Sequence, residues 1–177
     1  MGIPVVRTER QPPRAGAEPV AVIGAACRFA GGVNSPDDFW DMLVSGRDAN
    51  GDVPEERWRN YRQLGGDYAA AVRRATARGY FLSDIEGFDA EFFRLTPREA
   101  ELMDPQQRIL LEVAWEALEF AGIPPQDLAG GDAGVFVGVG SDDYGRRMLE
   151  DLPRIEAWTG IGAAVCAVAN RISYALD

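Results

Sequence analysis

Few side chains in this sequence could act as nucleophiles, bases or metal ligands. Cys27 and Cys166 are the two thiols, and they lie far apart without the CxxC spacing of zinc sites. The 177 residues contain no His, and all 18 basic residues are Arg, so no imidazole or amine can act as base, proton shuttle or metal ligand. We therefore predict that both cysteines are small buried structural residues rather than nucleophiles, and we expect no catalytic residue, metal or cofactor site.

Two other patterns could bind a ligand. Asp142 and Asp143 follow a glycine-rich run and could hold a cation, but no further acids are suitably spaced, which favours a turn or helix cap. The run PVAVIGAA, residues 19–26, could precede a dinucleotide-binding turn. Two alanines follow Gly24 where that fingerprint needs further glycines, so a nucleotide-binding domain stays a minor alternative.

Composition narrows the classes of partner. The net charge of -10, from 28 acidic and 18 basic residues, disfavours nucleic-acid binding. The pairs Arg73-Arg74 and Arg146-Arg147 could dock an acidic partner, although such pairs are more often solvated surface. No apolar run is long enough to span a bilayer, and the first 18 residues lack a signal-peptide core, so we expect a soluble cytoplasmic protein.

The chain divides into an arm and one domain. Residues 1–17 combine Pro, Arg and Gly without periodicity and predict a flexible arm or linker, and the domain covers residues 18–177. Within it, the apolar runs 19–26 and 133–141 predict two strands buried on both faces. Glycines within the second run indicate close approach of another backbone.

Four helices are predicted from caps and periodicity. Three begin with a cap residue followed by Pro at the first helical position, and the second of these caps adds a Glu three residues later, which is a capping box. The fourth is a small-residue helix over residues 161–176, whereas residues 47–78 predict a surface excursion. The three capped helices run from Ser35 to Gly46, from Thr96 to about Met103, and from Asp104 to Gly122.

The long helix in residues 104–123 is apolar on most sides. Its polar residues form one narrow stripe, Arg108, Glu112, Glu116 and Glu119. Two strands cannot cover so much apolar helix, because a sheet normally has several strands. The alternation of strands and helices predicts an α/β layered architecture that lacks part of its own covering surface.

Four segments of the sequence resemble the start of a β-ketoacyl synthase domain from a type I polyketide synthase. The motifs are AVIGAACRFAGG near the start, VPEERW, FDAEFFRLTPREA followed by DPQQRILLEVAWEALEFAG, and GVFVGVGSDDYG, in the family's order and approximate spacing. The resemblance covers nearly all of residues 18–177. It implies the N-terminal part of a thiolase-like fold, with layers α-β-α-β-α, from a domain that is usually a homodimer.

The resemblance also implies an activity. Such domains condense a carrier-bound acyl thioester with a malonyl-type extender, with decarboxylation, using a Cys in a TACSSS-like motif and two later His residues. This sequence matches neither, so the chain alone is expected to be inactive. The resemblance places Gly140 and Ser141 beside the acyl pocket, as substrate-binding residues, and residues 161–170 near the pocket and the dimer contact.

The implied partners are the remaining C-terminal half of the ketosynthase and an acyl carrier protein with phosphopantetheine-bound acyl groups. An alternative from another class is a non-catalytic half of a split ketosynthase, which would act as an interaction or structural subunit. Its motivation is the apolar excess in the helix of residues 104–123 and in the valine-rich run of residues 135–139.

Overall fold

The computed structural model of the chain describes residues 18–176, so the arm predicted for residues 1–17 lies outside the described residues. The described part is mainly helical, with one antiparallel pair of short strands, β1 (Gly51–Asp52) and β2 (Arg78–Gly79). The helices are α1 (Pro36–Ser45), α2 (Arg59–Gln63), α3 (Gly66–Arg74), α4 (Pro97–Glu101), α5 (Pro105–Ala121), α6 (Asp143–Glu150), α7 (Ala157–Ala163) and α8 (Ala167–Leu176).

The capped helices form where the sequence predicts them. Ser35 accepts a hydrogen bond from the Asp38 backbone N at 3.1 Å and starts α1, which ends at Gly46 with a φ of 64°. Asp104 accepts from the Gln106 backbone N at 2.8 Å and starts α5, which ends at Gly122 with a φ of 67°. Local capping chemistry therefore sets the ends of both helices.

The core lies where α5 packs against α8. Its buried centre is Met103, Leu111 and Ile172, and the aromatic turn of residues 88–93 packs against it. As expected from its wide apolar surface, α5 is only partly covered by the described residues, since Phe120 near its C-terminal end is 65% exposed. Most of the helix is half-buried.

The two predicted strands do not form within the described residues. Residues 19–26 and 133–141 make no β-ladder, because no neighbouring strand lies beside either of them there. Val20 is 94% exposed and Phe136 is 96% exposed, so the prediction of burial on both faces is wrong. The second segment still alternates, since its odd-numbered valines face inward while the residues between them face out.

The helix predicted over residues 161–176 is broken into α7 and α8. Gln107 of α5 donates from Nε2 to the carbonyl oxygens of Gly162 at 2.9 Å and Ala164 at 3.1 Å. These bonds satisfy carbonyls at the end of α7 that would otherwise need donors from a continuing helix. Ala164 is accordingly extended, with a ψ of 121°, and the chain turns before α8.

Residues 47–78 contain more regular secondary structure than the surface excursion that the sequence predicts. They contain β1, α2 and α3, and β2 returns to pair with β1, with Gly51 opposite Gly79. Tyr61 of α2 and Tyr68 of α3 stack with their ring centroids 6.3 Å apart. The segment therefore forms a small helical unit closed by a strand pair.

Only one of the two hydrogen bonds of the capping box predicted at α4 forms. Thr96 accepts from the Glu99 backbone N at 3.2 Å, but the Glu99 carboxylate does not reach back to the cap. Glu99 Oε1 instead accepts from Arg171 Nη1 of α8 at 2.8 Å, and both side chains are nearly buried. A long-range ion pair has replaced the local bond and ties α4 to α8.

Candidate functional site

The loop that carries Gly140 and Ser141 lies against the N-terminal end of α5. Gln106 Nε2 donates to the Ser141 carbonyl oxygen at 3.2 Å and to Asp104 Oδ2 at 3.0 Å. Ser141 Oγ accepts a long bond of 3.4 Å from the Asp143 backbone N at the start of α6. The loop is thus held between α5 and α6 while Ser141 itself stays exposed.

A buried polar junction supports this loop from below. The Asp104 backbone N donates to the Gly162 carbonyl oxygen at 3.0 Å, next to the bond from Gln107 to the same oxygen. Gln107 is 2% exposed, and Thr159 of α7 is equally hidden. The first turn of α5 and the last turn of α7 therefore form one unit, on which the Ser141 loop rests.

Close approach of a backbone occurs at other glycines than those predicted. A Cβ built at Gly138 or Gly140 would meet no described atom within 4 Å, so the expected close approach is absent from residues 18–176. A Cβ at Gly162 would overlap the Leu102 carbonyl oxygen, and one at Gly24 would overlap the Ala117 carbonyl oxygen of α5. At both positions the overlap is with backbone, so the described packing requires glycine there.

The backbone of the loop is open. None of the backbone hydrogen bonds found between described residues uses the N–H or the carbonyl of Gly138 or Gly140. Unpaired backbone groups in an extended, accessible segment can bind a further strand or an extended ligand. The segment can therefore bind by its main chain.

Two side chains at or near α5 have raised pKa values. Burial raises the pKa of the Tyr144 hydroxyl, while the positive charge of Arg108 acts in the opposite direction. Burial also raises the pKa of the Glu112 carboxyl, against the lowering effect of Arg28. Arg28 itself forms a two-pronged ion pair with Glu116, one bond of which spans 2.7 Å, and this pair anchors the N-terminal segment to the polar stripe of α5.

The cysteines are placed differently from each other. Cys27 is half-buried next to the Arg28 anchor, and burial raises the pKa of its thiol, which disfavours the reactive thiolate. This agrees with a structural role. Cys166 is exposed between α7 and α8, so the prediction that it is a buried residue is wrong.

Two clefts border α5 and α8. One of about 380 Å³ lies between Arg28, the turn of residues 82–87 and Glu112. The other, of about 350 Å³, lies beside Val135 and Ser173. Neither of these two clefts is lined by the predicted substrate residues Gly140 and Ser141.

Ser141 and Asp142, the polar residues at the end of the loop, have partners within the described part of the chain. No group of three or more potential metal-ligating side chains occurs in residues 18–176, and Asp142 pairs with Arg146 at 3.1 Å. The hydrogen-bond partner of the Ser141 hydroxyl among the described residues is the backbone N–H of Asp143. In the same part of the chain, none of the helices has the length and apolar character needed to cross a membrane.

Sequence reasoning missed the two buried polar contacts that organise this region. Gln107 binds residues more than 50 positions away, and Glu99 binds Arg171 across 72 positions. The sequence did contain a signal for Gln107, because it is a polar residue on the otherwise apolar inner side of a capped helix. A polar side chain in such a place needs a hydrogen-bond partner. No local pattern indicates the partner of Glu99.

Comparisons with known proteins agree on one family. The model of the family described as "Beta-ketoacyl synthase, N-terminal domain" matches residues 17–177. A 6-methylsalicylic acid synthase of Arthrobotrys oligospora is 56% identical over 158 residues, covering 89% of this chain and 9% of that protein. A mellein synthase of Phaeosphaeria nodorum is 51% identical over the same shares of the two chains.

Solved structures give the same result. An oxazolomycin ketosynthase domain of Streptomyces albus superposes with a TM-score of 0.71 and 36% identity, covering 88% of this chain and 27% of that chain. A ketosynthase from module 6 of the Bacillus subtilis bacillaene synthase gives a TM-score of 0.68 and 33% identity, over 88% and 24%. The predicted fold class, the N-terminal part of a thiolase-like fold, is confirmed.

Proposed function

Because the chain belongs to the β-ketoacyl synthase N-terminal domain family, we propose that it serves decarboxylative condensation of a carrier-bound acyl thioester with a malonyl-type extender. The chain spans 9% of the curated relatives' length and about a quarter of the ketosynthase structures. The proposed activity is therefore that of a parent domain, to which this chain contributes the N-terminal portion. By itself the chain is inactive in this proposal, because it has no His and neither cysteine lies in the family's nucleophile motif.

One observation carries the proposal beyond family membership. Residues 19–26 and 133–141 hold strand-like apolar sequence, yet neither has a neighbouring strand among the described residues, and Val20 and Phe136 are almost fully exposed. Apolar segments with unpaired backbone are stable only when another strand or layer covers them. Such cover is what the remaining part of a layered synthase would supply.

The role proposed for Gly140 and Ser141 is to border the acyl group. Both residues are exposed, and Gln106 holds the Ser141 carbonyl against α5. An extended acyl thioester could lie along the open backbone here without meeting a side chain from Gly138 or Gly140. Gln106 would keep the loop in place and thus act as a positioning residue.

The partners in this proposal are the C-terminal half of the ketosynthase, a second parent subunit, and an acyl carrier protein bearing phosphopantetheine-bound acyl groups. The proposal includes no nucleic acid and no membrane span, and the cytoplasm is the proposed location. Several relatives are named 6-methylsalicylic acid synthase, and we extend the proposal to a polyketide synthase of that class.

Complementation tests the proposal. The chain is mixed with a polypeptide comprising the rest of the ketosynthase domain of a 6-methylsalicylic acid synthase, and a thioester substrate is added. Intact-mass measurement is expected to show acyl loading on the complementing polypeptide only when both chains are present. Replacing the nucleophilic Cys of that polypeptide by Ala is the matched control and should abolish loading.

Two outcomes would contradict the proposal. Acyl loading on this chain alone would show that its own residues include a nucleophile. Failure of the two polypeptides to associate, with each one folded, would show that the exposed strand-like segments are not covered by the C-terminal part.

A second candidate function is a non-catalytic interaction subunit, one half of a split ketosynthase. The exposed apolar residues of the two strand-like segments favour it. In this case association occurs and the partner's loading rate is unchanged by the chain. Either function predicts that the isolated chain self-associates, so sedimentation velocity should show concentration-dependent species, whereas a concentration-independent monomer with a sharp melt would contradict both.

A further inference from the structure

Helix α1 has an exposed apolar face. Trp40, Leu43 and Val44 occupy i, i+3 and i+4 positions, which share one side of a helix, and they are 64%, 56% and 69% exposed. The helix is held to the molecule by an adjacent side, where the centroid of the Phe39 ring lies 5.0 Å from that of Phe29. The three side chains thus form an apolar patch that no described residue covers.

Two carboxylates border this patch. Asp37 and Asp41 are one helical turn apart, and Asp37 lies on the same line of the helix surface as Val44, seven residues later. Both aspartates are exposed, and neither forms an ion pair among residues 18–176. Asp38 differs, because its carboxylate accepts from the Asn34 backbone N at 3.1 Å at the start of the helix. The α1 face is defined as Asp37, Trp40, Asp41, Leu43 and Val44.

An occupant that matches the α1 face combines a few apolar side chains with positive charge. The first residues of the same chain have this composition, since three apolar residues precede two arginines there: Ile3, Val5, Val6, Arg7 and Arg10. Residues 1–17 contain three Arg and one Glu, whereas the whole chain has a net charge of -10. This basic segment is therefore complementary in charge to the aspartates of α1.

The same segment is long enough to reach the α1 face. From Glu18 the chain runs to Arg28, which binds Glu116 of α5, and the next residue, Phe29, contacts α1. Phe29 follows Glu18 by 11 residues, and Val6 precedes it by 12. At about 3.3 Å per residue, these stretches span at most about 36 and 40 Å, so Val6 can lie beside α1. A segment tethered in this way has an effective concentration on the order of mM, so even a weak contact is populated.

We propose that residues 3–10 fold back onto the α1 face of their own chain and cover it. The apolar residues before Arg7 lie against Trp40 and its neighbours, and the two arginines lie beside the carboxylates. Guanidinium groups bind carboxylates in two-pronged geometry, and removal of exposed apolar surface from water adds a favourable term without directional requirements. This inference does not depend on the proposed catalytic function.

Cross-linking of the full chain with a carbodiimide tests the contact. The sequence contains no Lys, so the variant R7K/R10K supplies the only side-chain amines and keeps both positive charges. The reagent joins an amine to a carboxylate that touches it. Peptide mapping by mass spectrometry is expected to place most links at Asp37 and Asp41, with a yield that falls severalfold between low and physiological salt.

Matched variants make the test specific. Adding W40S to R7K/R10K should lower the yield of these links severalfold, whereas adding F136S, which removes an equally exposed aromatic ring elsewhere, should leave it unchanged. The variant R146K is the positive control for the chemistry, since its amine should link to Asp142, which lies 3.1 Å from Arg146. Circular dichroism of each variant checks that the helices persist.

An isotope label separates the chain's own segment from that of a second copy. In a mixture of ¹⁵N-labelled and unlabelled R7K/R10K chains, the linked peptides should carry the same label. Linked peptides of mixed label would overturn the inference in favour of contact between copies. Equal yields with W40S and F136S would also overturn it, as would links spread evenly over the other exposed carboxylates of the chain.

Discussion

Replacing Glu99 by Ala removes one half of the ion pair that joins α4 to α8. The pair spans 2.8 Å between Glu99 Oε1 and Arg171 Nη1, and the two side chains are 11% and 12% exposed. Arg171 Nε and Nη2 are buried with no other hydrogen-bond partner among the described residues. The Glu99→Ala variant therefore leaves a nearly buried guanidinium without a carboxylate, and breaking such a pair from one side typically costs about 3–5 kcal/mol.

The free energy of unfolding is measured by urea titration, followed by tryptophan fluorescence. Native domains are stable by about 5–15 kcal/mol, so the expected loss moves the midpoint far down the urea axis. The double variant E99L/R171M removes both charges and keeps similar volumes, and it should recover most of the loss. Asp142→Asn breaks the exposed pair with Arg146 and is the matched control, with no measurable shift expected.

Two results would refute this reasoning. If Glu99→Ala shifts the midpoint no more than Asp142→Asn does, the buried pair does not stabilise the contact between α4 and α8. If E99L/R171M is as unstable as Glu99→Ala, the loss comes from altered packing rather than from an unpaired charge.

Three further predictions concern single side chains. Gly162→Ala should lower the free energy of unfolding, measured in urea, by about 3 kcal/mol, because the added methyl group overlaps a backbone oxygen. Gly160→Ala is the control, since a Cβ there meets no atom within 4 Å, and it should be neutral or slightly stabilising. Equal effects of the two variants would contradict the packing at α7. Burial raises the pKa of Glu112, so the folded chain binds more protons than the unfolded chain just above the ordinary pKa, and stability falls as pH rises through that window. Glu112→Gln should abolish this fall, so that the midpoint of urea unfolding no longer decreases with pH in that window. If the midpoint of the variant decreases with pH as steeply as that of the parent, other groups cause the fall. In alkylation by iodoacetamide mapped by mass spectrometry, Cys166 should react before Cys27, because it is exposed and the Cys27 thiol is half-buried with a raised pKa. Equal rates would contradict this placement.

Local signals allowed the helix ends to be predicted from the sequence. Ser35 and Asp104 cap α1 and α5 through bonds to backbone groups three and two residues away, and Gly46 and Gly122 end them in the left-handed conformation. These interactions involve neighbours in the chain, so the residue types suffice to indicate them. The fold class, by contrast, came from the resemblance of whole motifs to a family and not from the two strands that could be counted.

Contacts between distant residues could not be predicted. The capping-box pattern at Thr96 predicted that the Glu99 carboxylate binds the backbone of the cap residue, but this carboxylate binds the nearly buried Arg171 instead. The pattern of small residues in 161–176 suggested one helix, yet Gln107 captures the carbonyls at the end of α7. In each case a distant partner outweighs a local preference, and periodicity contains no information on that partner.

Residues 133–141 could be recognised as strand-like but not as unpaired. Their alternation survives in the structure, because Val135 and Val137 pack against the core while Phe136 faces out. Strand pairing depends on a neighbour that the apolar pattern itself does not provide. The surroundings of Gly140 and Ser141 could not be predicted for the same reason, since they depend on what lies alongside the segment.

The alternation in this segment constrains how the chain can change in length. Side chains of an extended segment point to opposite sides in turn, so one residue inserted between Gly131 and Val135 would turn the valines outward and bring Phe136 over the buried Met103 and Ile172. Insertion of two residues would restore the original sides. The turn before the segment therefore tolerates even changes in length and resists odd ones, a parity rule imposed by the helices beneath it.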